Sequence, residues 1–86
     1  MTRAARAQEF GKVYEPCLRL MLKKHPEQYC YPESFVPDVV ARMTLAFAAG
    51  TYSQDGPAVR MACRQLGIKP SRGGMEEFFN RQEVLV

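Results

Sequence analysis

Six apolar side chains, Phe10, Val13, Tyr14, Cys17, Leu18 and Met21, are spaced i, i+3, i+4, i+7, i+8 and i+11. That spacing places them on one face of an α-helix. Pro16 falls inside the run. Proline removes one backbone donor and crowds the carbonyl four residues back, yet the apolar phase continues beyond it. The spacing therefore predicts one kinked helix over about 3–24, the alternative being two helices broken at Glu15. Lys23, Lys24 and His25 suit the negative end of its dipole, and Pro26 ends it.

Downstream of that helix the chain alternates helical phases with loop signals. Residues 26–34, with two prolines and no helical period, read as a loop whose Tyr29 and Tyr31 fold back on the core or serve as a contact site. A second helix is expected to start near Ser34 as N-cap, with Pro37 in its first turn. Its buried face would hold Val36, Val39, Val40, Met43, Ala46 and Phe47, and Gly50 fits the C′ position. The run Met43–Ala49 is apolar on several sides. It reads either as a central helix covered by the others or as one with an exposed apolar flank. Ser53 or Asp55 would open a third helix, Pro57 lies in its first turn, and Gly67 closes it in the left-handed conformation with Ile68 packed beneath. Ser71 caps a short fourth helix anchored by Met75, Phe78 and Phe79. The expected fold is a single all-α domain over residues 1–86: a bundle of four helices with a helix-turn-helix-like C-terminal hairpin.

Composition narrows the function. A chain of 86 residues is one domain near the lower size limit for a self-sufficient core. No apolar run approaches the roughly 18 residues of a membrane span. The basic N-terminus lacks the apolar stretch of a secretory signal. Charge is uneven: residues 1–26 carry six basic and two acidic side chains, 27–58 one basic and four acidic, 59–86 five basic and three acidic. The net charge of +3 permits nucleic-acid binding without requiring it. Cys17, Cys30 and Cys63 form no CxxC pair and His25 is the sole histidine, so the expectation is buried reduced thiols and no metal. Catalysis needs a nucleophile with its base, paired carboxylates in a cleft, or a metal. His25 stands alone, the adjacent Glu76 and Glu77 diverge on a helix, and Gly73-Gly74 lacks the GxxxxGK[ST] of a phosphate loop. No enzyme, no cofactor and no small-molecule substrate are expected.

Two binding surfaces remain. Residues 58–68 read like the first helix and turn of a helix-turn-helix module, with Ala62 or Cys63 permitting a close crossing and Ile68 plugging the gap. Arg60, Arg64, Lys69 and Arg72 could neutralise phosphates, with Ser71 and the N-terminus of the fourth helix adding donors. Against this stand a long connection after Gly67, the paired glycines of the reading helix, and Glu76 and Glu77, which would repel phosphate. The charges of the first helix, Arg6, Lys12, Arg19 and Lys23, are a further basic surface. The other reading is a protein contact or homodimer through surplus apolar surface, with Leu45, Phe47, Tyr29, Tyr31 and the tail residue Leu85 as candidate interface positions.

Phe10-Gly11, Tyr14-Glu15-Pro16, His25-Pro26-Glu27, Val36-Pro37 and the stretch 51–69 together resemble small accessory proteins of tailed bacteriophages. The resemblance spans most of the chain; the segment 72–86 departs from it most. It carries no activity and no site residues. It implies action in the bacterial cytoplasm by binding a protein, such as inhibition of host machinery, or occasionally DNA.

Overall fold

The computed structural model describes residues 2–51 and 56–81. They form four α-helices, α1 Arg3–Lys24, α2 Val36–Ala48, α3 Pro57–Leu66 and α4 Arg72–Phe79. A single 3-10 turn, Glu33–Phe35, leads into α2, and there is no strand among the described residues. The tail with Leu85 and the expected capping positions Ser53 and Asp55 lie outside the described residues; α3 itself begins at Pro57 with Gly56 as its N-cap and no side-chain cap bond.

The first helix is uninterrupted and carries Pro16 within it. Thr2 caps it, its hydroxyl accepting from the Ala5 N–H at 3.1 Å. Along its inner face Ala7, Phe10, Tyr14, Cys17, Leu18 and Met21 are all buried. Both α2 and α3 pack along α1, and α4 crosses near its start. The central element is thus α1, and α2 is the one with the exposed flank, because Leu45 is 71% exposed. Phe10 sits at the middle of an aromatic cluster. Its ring meets Phe47 edge-on at 4.5 Å and lies 6.4 Å from Phe78. Phe79 completes the group beside Phe47 and Phe78.

Entry into α2 differs from the expectation. Ser34 does not cap the helix; it lies inside the 3-10 turn, closed by the Phe35 N–H donating to the Pro32 carbonyl at 3.0 Å. Phe35 already has helical dihedrals, so the chain runs from that turn into α2 without a side-chain cap. Helices α2 and α3 both end in Schellman geometry. Gly50 has φ +75° and Gly67 φ +68°. The next amides return to earlier carbonyls, Thr51 to Ala46 at 2.9 Å and Ile68 to Cys63 at 3.0 Å.

Two long-range contacts lock the arrangement. Gly11 is buried where α1 crosses α2, and a Cβ there would lie 2.5 Å from the Thr44 hydroxyl oxygen. Arg3 forms a bidentate pair with Glu76 at 2.8 and 3.1 Å. It also donates to the Ala48 carbonyl at the end of α2 and lies over the Phe79 ring. One guanidinium therefore joins α1, the C-terminus of α2, where a cation is favoured, and α4.

Candidate functional site

Helix α2 turns only part of its surface to the core: Val36, Thr44 and Phe47 are buried. Successive residues advance by about 100° around a helix. Phe35, Asp38, Ala41, Arg42, Leu45 and Ala49 consequently share the outer face, and all six are exposed. Phe35 at 52% and Leu45 at 71% are the most exposed large apolar side chains among the described residues, ahead of Leu20 on α1 at 38%. Between them stand Asp38 and Arg42, at the i,i+4 spacing that favours an ion pair. Among the described residues neither has an oppositely charged partner within 4 Å. This is an apolar strip crossed by two unpaired charges of opposite sign. One edge of it, through Ala41 and Leu45, borders a shallow groove of about 470 Å³ between α1 and α2, walled on the α1 side by Gln8, Lys12 and Glu15.

The other residues singled out from the sequence are distributed differently. Phe47 is fully buried against Phe10, so it is core and not interface. Its place on α2 is the inner face, which the apolar run around it obscured. Tyr29 and Tyr31 are half-buried and line a separate cleft of about 490 Å³ with Tyr14, Met43 and Val59. There the Tyr29 hydroxyl accepts from the Ala58 N–H at 3.2 Å, satisfying an orphan donor in the first turn of α3. Burial, reinforced by the neighbouring tyrosines, raises the pKa of the Tyr14 phenol; the same causes raise that of Tyr31.

Arg60, Arg64, Lys69, Ser71 and Arg72 are all exposed around α3 and the start of α4. Ser71 and Arg72 make contacts within the chain. The Ser71 hydroxyl accepts from the Gly74 N–H at 3.1 Å, and Arg72 reaches the Gly50 carbonyl at 3.5 Å. Glu76 does not stand over a nucleic-acid groove; it faces Arg3, whose hydrogen bond holds its carboxyl below the ordinary value. The exposed carboxylate of α4 is Glu77.

Cys17 and Cys63 are buried as expected, and burial pushes the Cys63 thiol up to about 11. Cys30 is exposed, contrary to expectation, because its loop holds it at the surface with the thiol directed at the Pro26 and Glu27 carbonyls. The described residues contain no group of three or more His, Cys, Asp or Glu that could hold a metal. None of their helices is long and apolar enough to cross a membrane.

Phe35, Asp38, Ala41 and Arg42 were not among the positions singled out from the sequence. Their common signal is the spacing 35, 38, 42, 45, 49, a second helical stripe opposite the buried one that mixes apolar side chains with the charges Asp38 and Arg42. Comparison with protein families, with curated proteins and with solved structures finds no match for this chain.

Proposed function

We propose that the chain is a non-catalytic protein-binding module whose contact surface is the outer face of α2. The observation that carries this reading is the exposure of Phe35 and Leu45 on one helical stripe. Water contact with two large side chains costs free energy that a partner's apolar surface would recover, at about 25 cal/mol per Å² of apolar area covered. Phe35 belongs to the aromatic class enriched at protein interfaces, and the small Ala41 and Ala49 on the same face leave a partner room to reach it. In keeping with the phage resemblance, the module acts in the bacterial cytoplasm, with inhibition of host machinery as its proposed role. The test is affinity capture from nuclease-treated bacterial lysate with the wild-type chain and with Leu45→Glu. A partner retained by the wild type and lost by the variant, at unchanged helicity, supports the reading. A partner indifferent to Leu45, or no partner for a chain that is also monomeric, removes it.

Nucleic-acid binding through α3 and α4 is the second reading, favoured by the shared exposure of Arg60, Arg64, Lys69 and Arg72. It requires a mobility shift that weakens steeply with salt and is abolished by Arg64→Ala with Arg72→Ala. Glu77 on the exposed side of α4 opposes it.

A further inference from the structure

The stripe on α2 is self-complementary. In an antiparallel pair of identical helices related by a two-fold axis, residues equidistant from the axis face each other across the interface. An axis entering the outer face behind Val40 sets Phe35 opposite Leu45 of a second copy, and Asp38 opposite Arg42 of that copy. Each match occurs twice. The two large apolar side chains exposed on α2 thus cover one another, and the two charges, which have no ion-pair partner among the described residues, acquire one each. No large side chain projects at the axis itself: Val40 points the other way, toward the groove with α1, and Ala41 lies to one side. The backbones can therefore approach closely.

Resting on the reading of α2 as a contact face, we propose that its partner is a second copy of this chain, docked antiparallel through α2 with reciprocal Asp38–Arg42 ion pairs. The register follows from the charges. A parallel pairing would set Asp38 beside Asp38 and Arg42 beside Arg42, and like charges directly opposed are unfavourable. A helix of 13 residues is about 20 Å long, so the area covered falls at the low end of specific interfaces. The expected dissociation constant is accordingly on the order of 10 µM.

Sedimentation velocity over a concentration series from about 1 to 300 µM, spanning that constant, tests the pairing on the wild type and on D38R, R42D and D38R/R42D. Each single variant places like charges opposite one another twice and is expected to weaken association by about tenfold or more. The double variant restores complementarity and is expected to return to within about threefold of the wild type. Circular dichroism establishes that each variant is folded, and R42D alone suffices should D38R disturb the first turn of α2. A wild type that stays monomeric throughout, single variants that associate normally, or a double variant as weak as the singles would overturn the proposal. A monomeric wild type that still captures another protein through Leu45 sinks the self-pairing and leaves the binding module standing. A monomer that captures nothing sinks both.

Discussion

Substituting alanine at Gly73 and at Gly74, one at a time, should move stability in opposite directions. Both glycines lie in the first turn of α4 with negative φ, so neither is needed for its backbone conformation. What separates them is space. A Cβ on Gly73 meets nothing within 4 Å, whereas one on Gly74 would lie 2.2 Å from the Lys69 carbonyl oxygen and 2.9 Å from the Lys69 Cβ. That carbonyl cannot simply turn away, because it accepts from the Ser71 N–H at 2.8 Å. At Gly73, alanine restores helix propensity and restricts the unfolded chain, a gain of up to about 1 kcal/mol. At Gly74 the same gain is opposed by a backbone clash, and overpacking of this kind costs about 1–3 kcal/mol. The net loss, about 1 kcal/mol at the middle of these ranges, should lower Tm by roughly 4–8 °C in a domain of this size, while Gly73→Ala raises it by a few degrees. Thermal unfolding followed by circular dichroism reads both. A Gly74→Ala protein melting at or above the wild type would refute the argument that the Lys69 carbonyl leaves no room for a Cβ at position 74.

Phe10→Ala removes the centre of the aromatic cluster and should cost about 3–5 kcal/mol in chemical denaturation, more than any exposed substitution on α2. Tyr29→Phe leaves the Ala58 N–H without its acceptor and should cost about 0.5–1.5 kcal/mol by the same measurement. Because Arg3 depresses the folded-state pKa of Glu76, the unfolded chain binds the extra proton as pH falls below the ordinary value of 4.5. The stabilisation is therefore full above that value and lost as pH drops through the lowered one, so the acid limb of a Tm–pH profile should flatten in Glu76→Gln. A thiol reagent should modify Cys30 rapidly in the native protein and reach Cys17 and Cys63 only on unfolding.

Local pattern was enough to place all four helices. The apolar phase of α1 persists across Pro16 since a proline disturbs its own turn without changing which side chains face inward. Gly50 and Gly67 marked helix ends because left-handed geometry selects glycine. Sequence failed where the decision is made at long range. The run around Leu45 and Phe47 is apolar on several sides, and only the placement of α1 and α4 determines that Phe47 is covered and Leu45 is not. The Arg3–Glu76 pair joins residues 73 positions apart, so Glu76 looked like a surface charge facing a partner. The Ser34 cap was plausible on residue type alone but lost to a 3-10 turn built on Pro32.

Hydroxyl-radical footprinting offers the most direct trial of the outer face of α2 as the meeting surface. Labelling of the chain in dilute isolated form is compared with labelling in concentrated solution and in bacterial lysate. Protection should concentrate at Phe35 and Leu45 in at least one of the crowded conditions while Tyr29, Tyr31 and Met61 keep their dilute reactivity. Unchanged labelling of Phe35 and Leu45 in both, or protection centred on the tyrosine cleft or on α3, would contradict it.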